Sequence, residues 1–185
     1  MVVYGTRAGK ARTAALEKLA EAIAFRCHPG ATATNNRSMI YGGFPIKPDH
    51  EVSGQDQKEY NLVIVGGPDE NALAAKYWEK LPVRHPDQSI EIDGLDPLPR
   101  KGSALSFLHY NPSATQRLIY CVDTGGLETS EIARRTKSPG GLLPGMSLSN
   151  PISTPDLMVA RGDTLLRMMQ YGADWKLISG PDYQV

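Results

Sequence analysis

The sequence contains no long apolar run. None of its stretches approaches the roughly 20 consecutive apolar residues of a membrane-spanning helix, so no such span is expected and no membrane partner is assigned. It also lacks an excess of charge of either sign. Lys and Arg number 20 and Asp and Glu number 20, so there is no global field to gather nucleic acid or an anionic surface. Cysteine is scarce: Cys27 and Cys121 are the only two, too few and too far apart for a disulfide framework. Both are expected to act as small buried hydrophobes, Cys27 at the end of a helix and Cys121 inside a strand. The opening residues Met1-Val2-Val3-Tyr4-Gly5-Thr6 have no basic segment followed by an apolar one, so they do not read as a secretory leader. The protein is therefore expected to be either cytoplasmic or a mature or excised piece of a larger one, and an initiating Met directly before a core strand fits the excised piece.

Catalytic and cofactor motifs are missing as well. Gly5-Thr6-Arg7-Ala8-Gly9-Lys10-Ala11 resembles a phosphate loop but is one residue short and lacks the Ser or Thr that would hold magnesium. No GxGxxG or GxSxG pattern occurs; the nearest to the latter, Gly145-Met146-Ser147-Leu148-Ser149, falls in a Pro/Gly-rich segment. His28, His50, His85 and His109 are scattered, without HxH, HExxH or CxxC spacing, so no metal and no cofactor are assigned. His109 reads as a satisfied strand histidine. A single Asp123-Thr124-Gly125 cannot supply the paired carboxylates of an aspartic protease and reads as an Asx turn ending a strand. No catalytic residue is assigned.

The residues that are present describe one α/β domain over 1–185. Val2-Val3-Tyr4 reads as a short buried strand. Leu16, Leu19, Ala20, Ile23, Ala24 and Cys27 recur at helical spacing, and His28-Pro29-Gly30 ends that helix. Phe44-Pro45-Ile46 suits an edge strand, and Ser53 suits the cap of a helix over Gly54 to Tyr60. Asn61-Leu62-Val63-Ile64-Val65 holds four consecutive apolar residues, as in a strand covered on both faces. A helix follows from Asn71 to Lys80 and stops at Pro82. Ser89 to Ile92 alternates like a half-exposed strand. Ser103 to Tyr110 and Arg117 to Val122 suit a hairpin about Asn111-Pro112-Ser113. A helix is expected over Leu127 to Thr136, a long surface loop over 138–155 and a strand over Asp156 to Ala160. Leu165 to Tyr171 fits helix or strand, and Trp175-Lys176-Leu177 fits a last strand. The alternation of strand and helix in the first half predicts βαβ units. The expected architecture is a three-layer, Rossmann-like or flavodoxin-like sandwich with a mixed, mainly parallel sheet.

Two glycine turns then define a candidate site. Gly5-Thr6 and Gly66-Gly67-Pro68 both follow strands, and in a parallel sheet both reach the carboxyl edge, where ligand crevices open. Thr6, Gly66, Gly67, Asp69 and Asn71 are the ligand-binding candidates, with Asn71 opening a helix whose N–H groups could hold an anion. The competing reading is structural: the glycines permit a tight turn and Asn71 caps the helix. Asp49, Glu51, Asp69 and Asp123 are carboxylates that could converge on the same edge.

Taken in order, several landmarks resemble a domain of large bacterial hydrolases, in which a prolyl-oligopeptidase-like or esterase-like α/β-hydrolase module is paired with a C-terminal α/β segment. They are Val3-Tyr4-Gly5-Thr6, Asp49-His50-Glu51-Val52-Ser53, Tyr60 through Asn71, Leu81-Pro82-Val83, Tyr110-Asn111-Pro112, Asp156-Leu157-Met158-Val159 and Gly172-Ala173-Asp174-Trp175-Lys176-Leu177. One departure is plain: such segments usually read Tyr-Pro-Asn-Pro-Leu-Asn-Pro where this chain has Tyr110-Asn111-Pro112-Ser113-Ala114-Thr115, so no function is carried over for that turn. The resemblance implies an accessory domain, structural or binding, whose partner is the hydrolase module or another protomer. The nucleophile, acid and histidine of a serine hydrolase would then lie in a module absent from this sequence, and the location would be secreted or periplasmic. The alternative is a small-ligand-binding domain or small hydrolase using the carboxyl-edge crevice.

Overall fold

Short apolar strands followed by glycine turns dictate most of the architecture. The computed structural model describes residues 1–26, 44–137, 155–172 and 177–179. Strand β1 (Val2–Tyr4) runs into helix α1 (Lys10–Arg26), which buries Ala15, Leu16, Leu19, Ala20, Ile23 and Ala24 along one face. Strand β2 (Ile46–Pro48) follows, then a 3₁₀ turn (Asp49–Glu51) and helix α2 (Gly54–Glu59). The cap expected at Ser53 is a full capping box: Ser53 accepts from the Asp56 amide, and Asp56 accepts from the Ser53 amide at 2.8 Å. Strand β3 (Leu62–Val65) leads into helix α3 (Ala72–Trp78), capped by Asn71.

A small arm comes next, made of β4 (Val83–Arg84), β5 (Ser89–Ile92) and β6 (Leu98–Pro99). Strands β7 (Ser103–Asn111) and β8 (Ala114–Asp123) form the expected hairpin. Helix α4 (Thr129–Thr136), β9 (Leu157–Arg161), β10 (Thr164–Tyr171) and β11 (Leu177–Ser179) complete the described elements. Residues 165–171, which fit helix or strand by sequence, are strand because β10 pairs antiparallel with β9, with a bulge between Leu165 and Arg167. Cys27, most of the 138–155 loop and Trp175-Lys176 lie outside the described residues.

Among the described residues, eight strands form one mixed sheet in the order β11-β10-β9-β7-β8-β3-β1-β2, and the arm forms a second sheet of three. Strands β2, β1, β3 and β8 are mutually parallel, whereas β7, β9, β10 and β11 continue as antiparallel neighbours. The change of direction falls at the β7–β8 hairpin. Pro45 and Pro48 sit at the β2 edge, where a missing N–H costs no ladder bond, and the Pro45 carbonyl accepts from the Val2 amide at 2.8 Å.

Both faces of the sheet are covered, which explains the continuous apolar run of β3. Val3, Ile64, Phe107, Cys121 and Val159 pack with Leu73, Tyr77 and Trp78 of α3 and with Val83, Ile90 and Ile92 of the arm. Val2, Val65, Val122, Met158 and Ala160 pack with Leu16, Leu19 and Ile23 of α1 and Ile132 of α4. The molecule is therefore an α/β sandwich compatible with a Rossmann or flavodoxin type. Among the described residues no helix is long and apolar enough to cross a membrane.

Candidate functional site

Helices α1 and α3 follow neighbouring parallel strands yet pack on opposite faces of the sheet. That makes the carboxyl ends of β1 and β3 a topological switch point, the place where open α/β sheets bind ligands. All five sequence candidates stand there. Their polar groups, however, are engaged with other parts of the chain.

Asn71 is fully buried. Its Oδ1 accepts from the amides of Leu73 (2.9 Å) and Ala74 (3.1 Å), while its Nδ2 donates to the carbonyls of Val65 (3.0 Å) and Val3 (3.4 Å). One side chain thus caps α3 and stitches β1 to β3, which is the structural reading of this residue. Thr6 donates its hydroxyl to Asp49 Oδ1 at 2.6 Å, and Asp49 Oδ2 takes the Ala72 amide at 2.6 Å. Gly66 has φ of +100°, a conformation that suits glycine, and its amide donates to the Val122 carbonyl at 2.9 Å. Gly67 is required by close approach, because a Cβ there would fall inside the Asp123 carboxylate. Asp69 accepts from Arg100 Nη2 at 2.6 Å.

A second group of residues, unassigned by sequence reading, fills the space between these turns. Arg12 of α1 donates through Nε to Glu70 Oε1 (2.5 Å), through Nη1 to the Leu127 carbonyl (2.6 Å) and through Nη2 to the Thr124 carbonyl (2.6 Å). The other Glu70 oxygen accepts from the Thr124 hydroxyl at 3.0 Å and the Gly67 amide at 3.1 Å. Thr124 therefore presents no free hydroxyl. The turn after β8 is the expected Asx turn, with the Gly125 amide donating to Asp123 Oδ1 at 2.8 Å. Of the four candidate carboxylates, Asp69 and Asp123 meet around Arg100, while Asp49 is held two strands away by Thr6 and Ala72, and Glu51 stands exposed on the 3₁₀ turn beside His50.

The arm completes the site. His85, in the β4–β5 connection, places Nε2 3.1 Å from Asp123 Oδ2, and the two side chains are only 5% and 3% exposed. Neither ring nitrogen of His85 makes an aligned hydrogen bond. The Trp78 ring lies over the imidazole with centroids 4.9 Å apart. Burial, reinforced by the neighbouring Arg100 charge, holds the His85 pKa down at about 4. Burial raises that of Asp123, against the opposing pull of the Gly125 amide and Arg100. Cys121, behind Asp123 on β8, is likewise pushed up by burial. His109 lies in β7 with Nδ1 3.0 Å from the Tyr110 carbonyl oxygen, as expected of a satisfied strand histidine. Among the described residues no three His, Cys, Asp or Glu side chains are grouped to hold a metal ion.

Far from this edge, on the α1 face near the amino ends of β1 and β3, lies a cavity of about 270 Å³. Its lining is almost wholly apolar and includes Val2, Val63, Leu108, Leu118 and Tyr120.

Fold and site together define an α/β sandwich with a polar network at its switch point. Comparison with protein-family models, with curated proteins and with solved structures found no match.

Proposed function

We propose that this chain is a non-catalytic accessory domain that packs on an α/β-hydrolase-type peptidase or esterase module or on another protomer. The observation that carries the reading is the engagement of the switch point by the chain's own groups. Arg12 with Glu70, Arg100 with Asp69, Thr6 with Asp49 and Asn71 with two strands use the polar atoms a substrate would need. The resemblance of the ordered landmarks to C-terminal segments of large hydrolases suggests the partner class. Packing on a module needs apolar surface, and Phe44 (40% exposed), Tyr60 (38%), Ile46 (37%) and Tyr110 (37%) offer some.

The test is activity of the purified chain toward p-nitrophenyl esters and peptide p-nitroanilides. No turnover above background is expected. Turnover abolished by Ser147→Ala or by His85→Gln would overturn the reading.

A second reading, a small-ligand binder at the same edge, is favoured by His85 Nδ1, buried with no hydrogen-bond partner. A thermal-shift screen of nucleotides, flavins and sugars separates the two, since a ligand at 100 times its dissociation constant adds about 2.7 kcal/mol.

A further inference from the structure

The arm is tied to the carboxyl edge by polar side chains at both of its ends. At its start, His85 reaches Asp123; at its finish, Arg100 reaches Asp69 and its carbonyl packs against Gly126. Its contacts with the core are apolar, through Val83, Ile90 and Ile92, and the Pro99 carbonyl accepts from the Ser103 hydroxyl at 2.6 Å. We propose that residues 83–99 form a proton-dependent latch over the Asp123-Thr124-Gly125 turn, closed while the buried His85–Asp123 pair holds an extra proton and released when that proton is lost. This goes beyond the accessory reading and does not depend on it.

A charge census carries the inference. Around the pair, the β6–β7 connection contributes Arg100, the turn after β3 contributes Asp69 and Glu70, and α1 contributes Arg12. Arg100 is matched by Asp69 and Arg12 by Glu70, so these four ions balance. Strand β8 adds Cys121, whose thiol stays neutral, α3 adds the Trp78 ring, and β7 adds Phe107 against that ring. An ionised Asp123 would leave one uncompensated negative charge in a site 3% exposed, an arrangement that desolvation strongly disfavours. A neutral imidazole beside a protonated carboxyl is electroneutral. The ring N–H directions lie off the line to the carboxylate. Off that line the ring nitrogen neither donates nor accepts well across the 3.1 Å gap, so charge balance in the buried site, not a hydrogen bond, decides the protonation of the pair. The raised Asp123 and lowered His85 agree with this occupancy.

Opening the arm returns both groups to water, where Asp123 ionises and His85 titrates at its ordinary 6.5. Between the ordinary pKa values of the two groups, the closed and open pairs carry the same number of protons, so opening is insensitive to pH. Above about pH 6.5 the open pair carries one proton fewer, and the opening equilibrium rises about tenfold per pH unit until the closed pair itself deprotonates.

Amide hydrogen exchange on the whole chain tests this, with intrinsic rates corrected for pH. Between pH 6 and 8.5, exchange of the amides of residues 83–98 should accelerate by more than tenfold while those of Leu62 to Val65 stay protected. Asp123→Asn keeps the oxygen that receives the Gly125 amide, and in it the pH dependence should vanish. A flat wild-type profile, an arm that tightens at alkaline pH, a rise shared equally by β3, or an unchanged slope in Asp123→Asn would each overturn the latch. If the variant fails to fold, the wild-type profile alone decides.

Discussion

Asn71 shows how one residue can look like a binding group and act as a fastener. Its four hydrogen bonds hold the α3 amides on one side and the carbonyls of Val3 and Val65 on the other. Asn71→Ala removes the cap, leaving the buried Leu73 and Ala74 amides short of an acceptor, and takes one donor from the Val65 carbonyl, which keeps the Gly5 amide. A cap is worth about 1 kcal/mol and a buried unsatisfied group about 1–3, so a loss of about 2–4 kcal/mol is expected in urea unfolding. Asn71→Asp keeps the cap but turns a carboxylate onto the same carbonyls, so it should recover only part of that loss. Full recovery would mean that the cap alone matters.

At the scale of elements, the glycines separate into those spent on contact and those that are not. A Cβ at Gly126 would fall inside the carbonyl of Arg100, which is backbone and cannot swing away. At Gly54, in the first turn of α2, nothing lies within 4 Å. Gly126→Ala should therefore lower the thermal midpoint sharply. Gly54→Ala should be neutral or raise stability by up to about 1 kcal/mol by restricting the unfolded chain. The elements themselves were largely legible from sequence. Four apolar residues in a row marked β3, and helical spacing from Leu16 to Ala24 marked α1, because such patterns are local. Strand β10 was ambiguous because Leu165, Leu166, Met168 and Met169 fit both periods. Only its hairpin pairing with β9, which lies outside the run itself, decides it. The site was legible to the same extent. Strand-ending turns placed Thr6, Gly67 and Asp69 on one edge. His85 and Arg100 carried no local signal, since they reach that edge only because the arm folds back over β8. Asp123 was visible as a turn residue, but its histidine neighbour was not.

For the molecule as a whole, the sheet has two halves of unlike character that meet at the β7–β8 hairpin. In the antiparallel half, Asn111 faces Ala114 across a tight turn. In the parallel half, Ile64 must find Cys121 and Val3 must find Lys47, each across a long stretch of chain. Closing such loops has an entropic cost that local pairing avoids, and chains rich in distant pairings fold slowly. The order of folding is thereby built into the topology. The hairpin should form first and present β8 as the template on which β3, then β1 and β2, assemble. Leu105→Ala in β7 and Val3→Ala in β1 both truncate fully buried side chains, so their kinetics can be compared directly. Leu105→Ala should mainly slow folding, with φ above about 0.5, and Val3→Ala should mainly speed unfolding, with φ below about 0.3. The reverse pattern in stopped-flow chevrons would place the nucleus in the parallel half. On the expected order, the carboxyl edge, which needs β1 and β3 beside β8, is among the last features of the molecule to exist.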